Sequence, residues 1–536
     1  MDMKKDYEDG LNSGEEREQM NEHKSGFTRR QFVGGASTVL LGGALGVVTA
    51  YAQTPDKVKI EGTTKKWDAQ TDVLIVGAGG AGLFAAMSAH DAGSKVILLE
   101  KEPTCYGSSS AICGGTVTAA GTSVQKDLGI KDSPDLFYKD ALKEGEYTND
   151  EEILRVFADH SAEIIEWFKA RNLKFIVRSY PGFAVDRLHY AGTGKQYVDI
   201  LVAEINKRKI PISVSTAAKR IIVDASSGAV LGIEAEKNKK KVLYKARKAT
   251  VLTTGGFAGD KNMVDRFLVA FKGALIGSSP GATGDGLLMG TKTGSTVTHL
   301  GYGAVYAYGV ETDPASRRGV LHRGYDLASV FGGILINHEG KRFIKEETSP
   351  TGVALKLVGQ QNQAVYDIAD KVMWDQFLAR PVFPVIGWSK EMVVEEAEKE
   401  KLFIKKANSI SELASKLGVN ADNLNNTIKN YNSYVEKGND PDFGREKVFL
   451  RKKIETPPFY SMMGRPIAMV TTGGIKINKK CQVLDPYLKP VPRLYAAGEI
   501  VGGLHGSKYI GGNGFAAALC FGRIVGKNAA EEKPLK

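Results

Sequence analysis

The chain has 536 residues, 42% hydrophobic and 25% charged, with 61 glycines, four cysteines and a formal net charge of +11. That length exceeds one ordinary core and predicts two or three domains, and the apolar share excludes a disordered, collagenous or solenoid protein. Four cysteines with no CxxC or CxxCH exclude a disulfide framework and argue against covalent haem or a cysteine-ligated iron–sulfur cluster.

Near the start of the chain stand Thr28-Arg29-Arg30-Gln31-Phe32, an apolar glycine-rich stretch over 33–50, and then Ala50-Tyr51-Ala52, a small-x-small site. Paired arginines, a mildly hydrophobic region and that ending predict a twin-arginine signal peptide over 1–52, and so export to the periplasm or another extracytoplasmic space, with membrane association as a further option. The glycines leave 33–50 marginal as a spanning helix. This leader carries six basic and eight acidic residues, so the rest of the chain holds 66 basic and 53 acidic, net +13.

Residues 73–76 form an apolar run that reads as a buried parallel strand. Gly77, Gly79, Gly80, Ala81 and Gly82 follow as a GxGxxG turn, then a helix over 81–92 and a second strand ending at Glu100 and Lys101. The glycines allow a tight turn, backbone approach to a pyrophosphate and close helix packing. The helix N-terminus attracts the anion, and the acid accepts from a ribose. Further candidate contacts follow at Ser108, Ser109, Gly114 and Gly115, at Ala218, at Thr254 and Gly255, and at Asp285. More lie near the end, at Gly498, Glu499, His505, Gly512, Asn513 and Gly514. So many separated glycine clusters suit a long dinucleotide, which favours FAD over NAD. The lysine-rich stretch 237–241 reads as the tip of a solvated hairpin, and helices are predicted over 367–377 and 410–434.

At these motifs the chain resembles the flavoprotein superfamily of fumarate reductases, succinate dehydrogenase flavoprotein subunits, urocanate reductases and 3-ketosteroid dehydrogenases. Its GxGxxG unit is joined in this by Gly340-Lys-Arg342-Phe343 with Glu346, by Tyr431-Asn432, by Asp442-Phe443-Gly444-Arg445 and by Tyr495 through Glu499. The resemblance implies an α/β fold, a Rossmann-like FAD-binding domain with a parallel sheet interrupted by an α+β capping domain. Residues 69–272 and 446–536 would bind FAD, and 273–445 would cap the substrate. Relatives that bond FAD covalently place a histidine where this chain has Ser108, so noncovalent FAD is expected.

The substrate side departs from the fumarate pattern. In the His-Gly-x-x-Arg-x-Gly-Gly-Asn segment of fumarate reductases, this chain has Tyr509 in the arginine slot. The histidine before Thr-x-Gly-Gly is replaced by Met469-Val470, and counting from Gly294 puts Tyr306 in a further histidine slot. The arginine proton donor falls near Lys371, and Tyr325-Asp326 stands where a Thr-Glu-x-x-Arg relay would begin. A ketosteroid dehydrogenase tyrosine falls at Pro350. Tyr180, Arg187 and His189 are candidates to line the cleft. Loss of fixed positive charge leaves a dicarboxylate desolvated without a charged partner.

The expectation is therefore an exported FAD-dependent oxidoreductase that reduces the C=C bond of an α,β-unsaturated carbonyl or enoate by hydride transfer from flavin N5, with Tyr509, Tyr306 and Lys371 as catalytic candidates. Fumarate itself is not the expected substrate. Two alternatives are a ketosteroid-type dehydrogenase running the reverse chemistry and a noncatalytic electron-transfer subunit. Electrons would come from a separate cytochrome c or membrane quinol-linked protein. No metal site and no nucleic-acid motif is read.

Overall fold

A computed structural model describes residues 66–179, 183–380 and 384–535. The export signal read over 1–52 lies outside them, as does Tyr180. Strand Ala69–Val76 is buried along its last six residues, as a strand covered on both faces must be. It pairs in parallel with Val96–Leu99 on one side and Lys240–Leu252 on the other. Pro490–Ala496, from the far end of the chain, adds in parallel beside Lys240–Leu252. The result is an eight-stranded sheet with the α/β character expected.

Helix Gly80–Asp91 lies against the last helix, Asn513–Ala530. Close approach is possible because the facing positions are glycine. A Cβ on Gly526 would stand 2.2 Å from the Ala85 carbonyl oxygen, and one on Gly522 would stand 2.5 Å from that of Ala81. The beginning and end of the described chain are thus locked together beside the GxGxxG turn.

A seven-stranded sheet is built around the long strand Phe459–Thr471. That strand pairs antiparallel with Gly303–Asp313, Val365–Ala369 and Ile404–Ala407. It lies in the stretch 446–536, expected to return to the FAD-binding part, and its hydrogen-bonded partners are strands of this second sheet. The chain rejoins the first sheet with Gln482–Leu484 and Pro490–Ala496. A strand's allegiance depends on its hydrogen-bonded partners, and those lie far away in sequence.

Two helix expectations change as well. Residues 365–369 are a buried strand, and the helix Lys371–Leu378 starts only after Asp370, whose side chain accepts from the Met373 N–H at 3.1 Å. The 410–434 helix divides into Ile410–Leu417 and Ala421–Lys437, because Gly418 takes a left-handed φ of 68° as a C-cap. The hairpin tip is as read: Val230–Lys237 turns into Lys240–Leu252 through Asn238 and Lys239, both at positive φ.

The shared motifs around Arg342 and Arg445 form a buried ion cluster. Arg342 pairs with Glu346 at 2.7 Å and Asp440 at 2.9 Å, and Arg445 with Glu347 at 2.9 Å. Arg445 also donates to the Gly333 and Ala328 carbonyls and to the Tyr431 hydroxyl. These residues hold the second sheet to its helices.

Candidate active site

A long cleft of about 1440 Å³, its open mouth included, runs beside the GxGxxG turn. Gly77 has φ +105°, and a Cβ there would meet the Thr253 carbonyl oxygen at 2.4 Å. A Cβ on Gly82 would fall 1.8 Å from the Gly77 oxygen, so Gly82 seats the helix on the turn. Gly79 is different: its nearest neighbour would be Ser110 Oγ at 3.6 Å, leaving room for a ligand's backbone approach. Gly79, the N-cap of helix Gly80–Asp91, makes no side-chain cap bond, the Gly80 N–H is taken by Ser110 Oγ, and Gly79, Gly80 and Ala81 line the cleft at the positive end of the helix dipole. Glu100 accepts from the Ala78 N–H at 2.7 Å and the Glu102 N–H at 2.9 Å, which shapes the turn. Lys101 donates to Thr283 Oγ1 at 2.6 Å and Asp285 Oδ2 at 2.8 Å.

At the other end lie Tyr509, His505 and Glu499. The Tyr509 ring stands 5.0 Å from that of His505, and its hydroxyl lies against Gly514, where a Cβ would stand 2.7 Å from the oxygen. Burial pushes the Tyr509 phenol well above its usual range, and Tyr306, Glu499 and Cys113 lie within electrostatic reach. Burial raises Glu499 to about 7, offset in part by the Thr471 N–H, which donates at 3.0 Å. Burial lowers His505 to about 4, so its imidazole is neutral at pH 7. His505 Nδ1, Thr254 Oγ1 and Asn513 Oδ1 are buried with no hydrogen-bond partner. Unpartnered polar atoms beside a cleft with a pyrophosphate-ready turn fit a dinucleotide that carries many donors and acceptors.

A family model described as "FAD binding domain" matches residues 72–515. This chain belongs to that family. It is 31% identical over 473 residues to a fumarate reductase (cytochrome) of Shewanella frigidimarina, covering 86% of this chain and 77% of the relative. It is 30% identical over 486 residues to a vinyl phenol reductase of Lactiplantibacillus plantarum, covering 86% and 96%. Among solved structures, the open conformation of a flavocytochrome c3 fumarate reductase superposes with TM-score 0.73 at 29% identity, covering 87% of this chain and 79% of that one. The protein is an FAD-dependent oxidoreductase of the fumarate reductase and succinate dehydrogenase flavoprotein superfamily.

Most of the expected cofactor residues of this flavoprotein line the cleft: Gly77, Gly79, Gly80, Ala81, Glu100, Lys101, Ser108, Ser109, Ala218, Thr254, Gly255, Asp285, Gly498, Glu499, His505 and Gly514. Gly82, Gly114, Gly115, Gly512 and Asn513 are not among the lining residues. Three of these have a visible backbone role, with Gly82 on the Gly77 oxygen, Gly115 at φ +70° against Gly192, and Gly512 at φ +91° starting the last helix. Sequence reasoning missed Ser110, whose Oγ accepts from the Gly80 N–H at 2.9 Å, and it missed Cys113 and Thr471. The Ser-Ser-Ser run was a signal for Ser110; nothing local marked Cys113.

Tyr509 and Val470 line the cleft. Tyr306 is half-buried on the strand Gly303–Asp313, within electrostatic reach of Tyr509. Met469 turns toward Gly277, where a Cβ would meet its sulfur at 2.4 Å. Lys371 is a correction. Its side chain is 44% exposed and paired with Asp375 at the start of a surface helix, and it does not line the cleft, so its catalytic role is withdrawn. Arg187 and His189 are also redirected. Arg187 is fully buried between Asp132 and Asp140, and His189 is buried 2.8 Å from Thr122 Oγ1. Both hold the interior together rather than face a substrate. Among the described residues, no group of three or more His, Cys, Asp or Glu is placed to hold a metal ion.

Proposed function

We propose that this flavoprotein reduces the C=C bond of an uncharged α,β-unsaturated carbonyl or phenolic compound, and that dicarboxylates such as fumarate are poor substrates. Tyr509 is the observation that carries this reading. Its hydroxyl lies against Gly514, where a Cβ would stand 2.7 Å from the oxygen, in the first turn of an 18-residue helix, and the phenol can donate to a group in the cleft. The helix N-terminus also favours negative charge developing on that oxygen. Bound FAD supplies the hydride to the alkene. Tyr509 polarises the conjugated oxygen as charge builds there, with Tyr306 beside it, and neutral His505 adds no charge.

Electrostatics supports the same substrate class. Among the described lining residues the one permanent cation is Lys101, which is bound to Asp285 at the dinucleotide end. A carboxylate buried near Tyr509 would lack a charged partner, and would face Glu499 as well, at a cost of several kcal/mol. The likeness to a vinyl phenol reductase is consistent with an aromatic substrate.

Noncovalent FAD belongs to this proposal, because a serine, Ser108, stands where relatives that bond FAD covalently place a histidine, and here its hydroxyl caps the short helix Ser109–Ile112. So do twin-arginine export and an external donor, cytochrome or quinol-linked, which rest on the leader sequence and on the absence of haem motifs. Oxidation of reduced viologen by the purified holoenzyme tests the substrate class. Aryl enones, vinyl phenols and steroid enones should exceed fumarate at least ~100-fold in kcat/KM, the scale of an unpaired buried charge. Fumarate turnover equal to the best enone overturns the proposal. Dehydrogenation of a saturated ketosteroid with a dye acceptor, faster than any reduction, would favour the reverse chemistry.

A further inference from the structure

Tyr509 and His505 stand on residues 502–512, which belong to no helix or strand, so no regular element fixes where the two rings point. The hold comes from a turn far earlier in the chain, residues 145–150, which joins helix Pro134–Glu144 to helix Glu151–Lys169. The Asp150 N–H donates to the Gly503 carbonyl at 2.8 Å, and Asn149 Nδ2 donates to the Leu504 carbonyl at 2.8 Å. The Ser507 N–H donates to the Gly145 carbonyl at 3.2 Å. Glu146 accepts from the Ser507 hydroxyl at 2.5 Å and pairs with Lys508 at 2.8 Å. Gly506, at φ +63°, lets the two segments touch, because a Cβ there would stand 2.4 Å from the Gly145 carbonyl oxygen. Every residue from Gly503 to Lys508 except His505 is thus bonded to the turn or packed on it, and His505 and Tyr509 line the cleft. The turn itself is unusual. Glu146 and Tyr147 both take left-handed φ, 55° and 57°, which non-glycine residues rarely adopt, and Tyr147 is 73% exposed, so packing of its ring does not account for the conformation. Asn149 Oδ1 is buried against the Gly145 and Gly506 backbones with no hydrogen-bond partner, while the other end of the amide holds Leu504.

We propose that Asn149 is a positioning residue of the reductase site. Through the 145–150 turn it sets where the His505 ring and the Tyr509 hydroxyl stand in the cleft, although Asn149 does not line the cleft itself. Its amide carries the effect because it is partly buried and holds the carbonyl next to His505. The Glu146–Lys508 pair is half-exposed on both sides, where such a pair contributes little. The consequence for turnover rests on the reading of Tyr509 as the donor to substrate; the bracing of the loop does not.

The test compares FAD-saturated wild type with Asn149→Ala and with Asn149→Asp, which keeps the shape and loses the donor. Deuterium uptake by the peptide over 503–509 should quicken about tenfold in both variants, with helix Asn513–Ala530 unchanged. The visible circular dichroism of the bound flavin should change as the two rings move. For the best enone, kcat should fall about tenfold with KM within about twofold, because a misplaced donor is lost chiefly in the transition state. In a Tyr509→Phe background the same substitution should cost less than about twofold, since no hydroxyl remains to be placed. Uptake and dichroism unchanged in both variants overturn the proposal. So does Asn149→Asp behaving as wild type, or a loss fully additive with that of Tyr509→Phe. A lowered thermal midpoint with kcat intact would make the turn a structural joint and overturn it as well. If Tyr509→Phe keeps full activity, the proposed function fails by itself, and uptake and dichroism still decide the bracing.

Discussion

Tyr509 lines the cleft with its hydroxyl against Gly514 at the start of the last helix. The helix N-terminus favours negative charge on the phenol oxygen, so the hydroxyl suits donation to an oxygen on which charge builds. Tyr509→Phe should lower kcat/KM for the best enone by about 10²–10³, the usual cost of losing one donor to a developing oxyanion. FAD binding, read by fluorescence quenching, should survive; an unchanged kcat/KM would remove Tyr509 from the mechanism. Glu499 offers a pH test. Its folded-state value is raised to about 7 by burial, so the folded protein is favoured while the acid keeps its proton and loses stability as pH rises from its unfolded value toward 7. That loss is on the order of 3 kcal/mol. Glu499→Gln should flatten the decline in FAD-free melting temperature between about pH 5 and 7; an unaltered slope would mean that another group titrates there. At this scale the sequence was a good guide where glycine and serine serve the backbone; for Lys371 the i,i+4 spacing to Asp375 on a helix was a local sign of a surface ion pair that the catalytic reading passed over.

Between elements, the two arginine motifs carry more structure than chemistry. Arg445 satisfies Glu347, two backbone carbonyls and the Tyr431 hydroxyl from a fully buried position. Arg445→Met removes the cation and leaves the carboxylates and carbonyls uncompensated, a loss of about 3–5 kcal/mol. It should lower the thermal midpoint of the holoenzyme, and a midpoint within experimental error of the wild type would show the cluster to be dispensable. The strand–turn–helix–strand unit over 69–101 was legible because its signals are local: an unbroken apolar run, glycines at fixed offsets, an acid at the next strand end. Helix 410–434 was read without its break at Gly418, which keeps an amphipathic pattern going while its φ of 68° ends the helix. Phe459–Thr471 has the same apolar alternation whichever sheet it joins, so its place in the second sheet was not legible locally.

For the whole molecule, locking the first and last helices together brings residues near 80 and near 510 to one cleft. FAD held there by hydrogen bonds and packing alone should leave with acid. After acid precipitation all flavin absorbance should appear in the supernatant, and colour remaining on the polypeptide would contradict noncovalent binding. The sequence by itself determined the cofactor class, because a pyrophosphate needs glycines and a helix N-terminus in a spacing that survives in one dimension. It also determined the loss of fixed positive charge on the substrate side, because charge is a property of residue type. Only the tertiary structure decided which candidates meet. Tyr509, Glu499 and His505 share the cleft, while Lys371 stays on the surface and Arg187 and His189 are buried in the interior. Burial, pairing and pKa arise from neighbours that the fold supplies from elsewhere in the chain.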